Sequence, residues 1–281
     1  MGLKSHINAK LLLEGGNALK GTTSIKQKYV AALHATLIPK IAKELRLSST
    51  QVLPIGSAGR KPDPEDVSGD VDIAIQTLDI PAVQAAIERF GAATSFRSMP
   101  GINVYSFGWP HPDGIVQVDL MPVSNLKLAA WAFYSADADM KAGLKGSHRN
   151  EVLFALAKHV AMKHHGIGPV PDAERDRYQL DLNFGLFKAK QSRMGKKGPV
   201  KSYSTLSKEL LSSDPDEICR LLFGYNVPAS AVLSLDDAMR ALHDERFAFA
   251  GARAAVIAST IAGCERKELK LPAVLAKFKP V

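Results

Sequence analysis

Two stretches of the chain alternate between two faces, and both put aspartate on the side away from their main aliphatic residues. In Asp70-Val71-Asp72-Ile73-Ala74-Ile75 the acids stand two apart. In Ile115-Val116-Gln117-Val118-Asp119-Leu120-Met121 a single acid lies between two aliphatic residues. Successive side chains of a strand turn to opposite faces, so Val71, Ile73, Val116, Val118 and Leu120 are predicted to enter a core. Asp70 and Asp72 share the other face of one strand, and Gln117, Asp119 and Met121 that of the other. If the two strands are neighbours, three carboxylates meet on one face of a sheet whose opposite face must be covered.

Helices are expected to supply that cover. From Ile25 to Leu45, Tyr29, Leu33, Leu37, Ile41 and Leu45 recur every fourth position, the spacing of an amphipathic helix, with Ser24 as its cap. Val52–Ile55 reads as a short strand entering the turn Gly56-Ser57-Ala58-Gly59, and 81–90 as a helix with Pro81 in its first turn. A hairpin is expected for 94–97 and 102–107 around Met99-Pro100-Gly101. Beyond Leu126 the pattern turns mainly helical: 148–164 capped by Ser147, then 203–211, 215–223, 235–245 and 249–262, with one strand over 178–187. The expected fold class is thus α+β, with a catalytic domain over 1–145 and a mainly helical domain over 146–281.

Clustered carboxylates repel one another unless something cationic sits between them. An all-oxygen set suits Mg²⁺, which draws the rest of its shell from water and substrate phosphates. Two such ions about 4 Å apart can activate an attacking hydroxyl and stabilise a leaving pyrophosphate. The Gly56-Ser57 turn complements this, because glycine lets a phosphate approach backbone N–H groups.

The ordered set Ile55-Gly56-Ser57, Asp70-Val71-Asp72-Ile73 and Val118-Asp119-Leu120 resembles the signature of the DNA polymerase beta-type nucleotidyltransferase superfamily, over roughly residues 50–122. The resemblance implies a mixed sheet flanked by helices, with a helical second domain shaping the acceptor site. By the same resemblance Asp70 and Asp72 would bind two Mg²⁺ (or Mn²⁺) ions and the triphosphate of a nucleoside triphosphate. Asp119 would bind the catalytic ion and help deprotonate the acceptor hydroxyl, and Gly56 and Ser57 would hold the β and γ phosphates.

Other charged residues divide between this chemistry and simple solvation. Arg60 and Lys61 follow the turn closely enough to neutralise phosphate, and Arg149, near a helix N-terminus, is a further candidate for contacting nucleotide. Asp113 rivals Asp119 as third carboxylate, although Pro112-Asp113-Gly114 explains it as a turn. Asp63, Glu65 and Asp66 read as solvated, and His159, His164 and His165 lack a ligand set. Gly15-Gly16-Asn17 follows no strand, which removes a P-loop reading.

The 281 residues carry a net charge of +8, and the stretch from Lys188 to Lys208 holds seven Lys or Arg and no acid. With Gly195 and Gly198 it reads as a flexible basic loop, where Lys190, Arg193, Lys196, Lys197 and Lys201 could track a nucleic-acid backbone. RNA, tRNA included, is the expected acceptor. A small molecule or protein side chain is the alternative, and a nucleic-acid-binding module on a degenerate transferase fold is the non-enzymatic one. No apolar run approaches the ~20 residues of a membrane span, and Cys219 and Cys264 have no paired-ligand spacing. A cytoplasmic protein without a disulfide is expected.

Overall fold

The computed structural model describes residues 19–90, 94–99, 102–164, 174–197 and 200–276. The chain folds as two compact units that divide between Leu126 and Lys127.

The first unit is built on a five-stranded mixed sheet. Its strands are β2 (Val52–Ile55), β4 (Asp70–Gln76), β5 (Thr94–Met99), β6 (Ile102–His111) and β7 (Gly114–Val123), in the order β2-β4-β7-β6-β5. Only β4 and β7 run parallel. Helices α1 (Gln27–Glu44) and α2 (Ile80–Phe90) bring the apolar partners that the alternating strands require. Leu33, Leu37 and Ile41 of α1, with Val83 and Ile87 of α2, join Val71, Ile73, Ile75, Val116, Val118 and Leu120 in one buried cluster. Burying side chains of this size stabilises by about 1.5–3 kcal/mol each, so the sheet has one acceptable register toward the helices. A one-residue slip would send the valines to the aspartate face.

Helix α1 starts two residues later than expected from a Ser24 cap. Ile25 and Lys26 form a two-residue strand, β1, against β3 (Val67–Ser68), which holds their backbone extended. Ile25 is buried there, and Lys26 becomes the residue before the helix.

The second unit contains α3 (Leu126–Ala132, which begins at the division), α4 (Asp137–Lys141), α5 (Gly146–His164), α6 (Pro215–Phe223), α7 (Leu235–His243), α8 (Arg253–Arg266) and α9 (Ala273–Ala276). Helix α5 opens at Gly146, so Ser147 lies inside it and does not cap it. To the expected helices the unit adds a three-stranded antiparallel sheet, β8 (Glu174–Asp181), β9 (Gly185–Lys197) and β10 (Val200–Ser212), in the order β10-β9-β8. The strand expected over 178–187 is divided by a tight turn. The Asp181 carboxylate accepts from the backbone N–H groups of Asn183 (3.0 Å) and Phe184 (3.2 Å) and reverses the chain.

Two expectations are corrected here. Apart from 198–199, which lie outside the described residues, the basic stretch 188–208 is not a flexible loop, and 203–211 is not helical: both belong to the β9–β10 ribbon, paired from Val200↔Lys197 to Ser212↔Leu186. Cross-strand pairing of two 13-residue segments overrode the local helical pattern, as tertiary partners commonly do for β structure. No helix among the described residues is long and apolar enough to cross a membrane.

Candidate metal centre

Strands β4 and β7 are parallel neighbours in a register that sets Asp70 beside Gln117 and Asp72 beside Asp119. Alternation turns Val71, Ile73, Ile75, Val116, Val118 and Leu120 to the helices, so the aspartates necessarily share the opposite face. There Asp70, Asp72 and Asp119 each contribute an oxygen lying within 4.8 Å of the other two. Asp119 is buried, and Asp70 and Asp72 are half-buried. Burial first, then the charges of Asp70 and Asp119, push the Asp72 carboxyl well above the usual carboxylate range. Two full charges 4.8 Å apart repel by about 3 kcal/mol at an effective dielectric near 20. A cluster this unfavourable is a good host for a divalent cation.

The donor set fits one. All three groups offer hard anionic oxygen, the chemistry of Mg²⁺ and Mn²⁺ sites. Ser106 adds a second sign. It stands directly across from Asp119 on β6, is wholly buried, and its hydroxyl has no hydrogen-bond partner among the described residues. An orphaned buried hydroxyl costs roughly 1–3 kcal/mol, which a water of a bound cation could relieve.

Gly56 closes one side of the cluster. It follows Ile55, which pairs with Asp72 at the end of β2, and its φ of +74° lies in the left-handed region. The place a Cβ would take is already filled by the Asp72 carboxylate. Gly56→Ala should therefore cost about 1–2 kcal/mol in folding, the penalty of a left-handed non-glycine residue, which a urea titration would read. Its larger effect should be displacement of Asp72, seen as a loss of divalent-ion binding by calorimetry. Unchanged ion binding would show that Gly56 and Asp72 do not share this space.

The turn itself is anchored from α1. The Gly59 N–H donates to Gln27 Oε1 (2.7 Å), and Gln27 Nε2 donates to Ser68 Oγ (2.9 Å). One buried side chain thus ties the Gly56–Gly59 turn to the residues just before Asp70. On β7, Gln117 Nε2 donates to both oxygens of Asp119 (2.9 and 3.1 Å), while its Oε1 accepts from the Leu19 N–H (3.2 Å). Neither glutamine was among the residues expected from sequence. Gln117 carried a signal, since alternation puts it on the Asp119 face. Gln27 carried none, because its partners lie 32 and 41 residues away.

The remaining candidates are distributed unevenly. Ser57 lies in the turn, where its carbonyl accepts from the Arg60 N–H (3.2 Å), and Arg60 is half-buried. Lys61 Nζ donates to the Val67 carbonyl, so this ammonium braces the loop. Glu65 pairs with Lys26 (3.1 Å) and Lys28 (2.5 Å), and Asp113 is exposed in the β6–β7 turn, outside the carboxylate cluster.

Arg149 is corrected. It is fully buried on α5, where its guanidinium donates to the carbonyls of Trp131 (2.8 Å), Ala132 (2.7 Å) and Leu233 (3.4 Å) and to Asn150 Oδ1 (2.9 Å). With its donors spent on the chain itself it has no access to nucleotide. Lys188 and Lys190 lie on β9, with Lys190 exposed. Arg193, Lys196 and Lys197 are also on β9 and Lys201 on β10, but their side chains lie outside the described residues. His159 bonds Ser259 Oγ (2.6 Å), while His165 and Gly15-Gly16-Asn17 lie outside the described residues.

No family model matches this chain, and no curated protein matches it by sequence. Among solved structures it is similar to one of the Cid1 poly(U) polymerase, recorded as MgGTP bound, at 12% identity over 60% of this chain. The chain spans 60% of that polymerase's length, and the TM-score is 0.28. A likeness of that size carries no argument about fold or activity, and the carboxylate geometry has to stand on its own.

Proposed function

We propose that the chain is a metal-dependent nucleotidyltransferase that moves a nucleoside monophosphate from a nucleoside triphosphate to a hydroxyl on RNA. The observation that carries this reading is the convergence of Asp70, Asp72 and Asp119 on one sheet face beside Gly56. In the reaction an acceptor oxygen bonds to the α-phosphorus, the bond from that phosphorus to the bridging oxygen breaks, and pyrophosphate leaves.

Asp70 and Asp72 would hold two Mg²⁺ ions, with Mn²⁺ as the alternative, and Asp119 one of them. Such ions, when bound, supply charge neutralisation on the phosphates and a lowered pKa at the attacking hydroxyl. Asp119 would accept the proton of that hydroxyl. Gly56 and Ser57 would offer backbone N–H groups to the terminal phosphates, with the positive charge of Arg60 close behind.

The RNA acceptor is supported by the β9–β10 ribbon. Two paired 13-residue strands reach roughly 40 Å and carry Lys188, Lys190, Arg193, Lys196, Lys197, Lys201 and Lys208 with no acid between the first and last. A stiff ribbon in which Lys and Arg far outnumber its one acid, Glu209, suits a phosphate backbone better than a loop would, since less chain entropy is lost on binding.

The test is incubation with each α-labelled nucleoside triphosphate, Mg²⁺, and separate fractions of total RNA, protein and metabolites. Label in RNA, lost with Asp119→Asn, is the expected result. Label confined to metabolites or protein would replace the acceptor. Equal labelling by wild type and Asp119→Asn would refute the transferase. RNA binding that persists in EDTA, with no labelling anywhere, would point to a binding module.

A further inference from the structure

We propose that Gln117 is a positioning residue for Asp119: its side-chain amide locks the carboxylate in the orientation that faces Asp70 and Asp72. The inference deepens the proposed function and rests on the metal role of those three aspartates.

Gln117 precedes Asp119 by two residues on the same face of β7, stands in register with Asp70, and is 2% exposed. Its Nε2 straddles the carboxylate, 2.9 Å from one oxygen and 3.1 Å from the other. A single donor bridging both oxygens opposes rotation of the carboxylate about its last bond. An amide can present either its oxygen or its nitrogen, and the backbone decides which. Leu19 N–H lies 3.2 Å from Gln117 Oε1, and an N–H can only face an oxygen, so the NH₂ end must face Asp119.

The segment that provides this N–H is itself fastened. Thr23 N–H donates to the Ile115 carbonyl at 2.7 Å, at the start of β7, and Leu19 is buried. The choice of a neutral amide is informative as well. A lysine or arginine here would orient Asp119 by cancelling its charge and would compete with a cation. Glutamine orients the ligand and leaves its negative charge for the ion, the arrangement by which a neighbouring group tunes a metal ligand.

Binding of Mn²⁺ to the nucleotide-free chain, followed by loss of the free-ion electron paramagnetic resonance signal, tests this without an activity assay. Gln117→Met keeps length and volume but removes the donor. Gln117→Asn keeps a donor but is one methylene too short to reach Leu19 and Asp119 together. Both should weaken Mn²⁺ binding about 10–100-fold, with a urea midpoint close to wild type. Should Gln117→Met fail to fold, Gln117→Asn decides alone. A folded variant with Mn²⁺ affinity within twofold of wild type, while Asp119→Asn loses binding, would overturn the role of Gln117 and leave the metal reading standing. Retention of binding by Asp119→Asn would overturn both.

Discussion

Replacing Asp72 with asparagine is expected to stabilise the metal-free chain and to abolish transfer at the same time. Asp72 is the member of the cluster whose carboxyl is pushed well above the usual range, by burial and by the charges of Asp70 and Asp119. Each charged pair at the 4.8 Å limit of the cluster costs about 3 kcal/mol. Part of that cost is already avoided by proton uptake at Asp72, so the net gain from Asp72→Asn should be about 1–2 kcal/mol. The sign follows from the direction of the shift. A carboxyl raised by folding favours the native state below its unfolded pKa and loses that contribution as pH rises through the folded value. The gain from Asp72→Asn should accordingly be larger at pH 8 than at pH 5. A urea titration in EDTA at both pH values measures it. Transfer should fall on the order of 10³-fold, because losing one anionic ligand removes several kcal/mol of charge stabilisation in the transition state. A destabilised Asp72→Asn chain would mean that the three carboxylates are not strained, and the case for a cation between them would weaken.

The same residue shows how much of the molecule was legible beforehand. A period of two fixes which side chains share a face, and Asp70, Asp72 and Asp119 alternate with aliphatic residues that can only go inward. Their convergence then needs one further fact, that β4 and β7 are neighbours in the register Asp72↔Asp119. Alternation within each strand does not supply that fact, because the pairing is long-range. Gln27 was missed for the same reason, since its partners lie tens of residues away, whereas Gln117 shows its face by alternation and only its Leu19 contact is long-range. The β9–β10 ribbon was missed because its lysines, serines and glycines resemble a loop when read one segment at a time. Only the facing strand reveals the ladder. Arg149 is the inverse case. A charged residue near a helix start invites an anion, yet its surroundings turned out to be carbonyl oxygens of its own chain.

Removing Arg149 should produce the largest loss of stability of any single change considered, confined to the second unit. The last carbonyls of α3 have no partners within that helix, and a helix C-terminus carries partial negative charge. Arg149 meets both needs: it donates to the Trp131 and Ala132 carbonyls, stacks 5.2 Å over the Trp131 ring, and reaches the Leu233 carbonyl just before α7. Burial lowers its guanidinium to about 10, which still leaves it charged at neutral pH. Arg149→Leu would keep most of the volume but take the charged donor from the Trp131 and Ala132 carbonyls, which keep only the Tyr134 N–H (3.3 Å) and Asn150 Nδ2 (2.9 Å). It would also remove the Arg149 donor from Asn150 Oδ1. Charge-assisted bonds and an orphaned acceptor at about 1–3 kcal/mol each give a total near 3–5 kcal/mol. Arg149→Lys should recover little of this, because one ammonium cannot reproduce a planar fork that spans three carbonyls. Urea unfolding followed by tryptophan fluorescence reads the loss through Trp131, which belongs to this unit, while Trp109 reports on the first. Binding of Mn²⁺ at the three aspartates should persist in Arg149→Leu at urea concentrations below its transition, because every residue placed in the metal cluster belongs to the first unit. If Arg149 instead contacts nucleotide, Arg149→Leu would leave the urea midpoint unchanged and raise the KM for the triphosphate, the opposite pattern in both measurements.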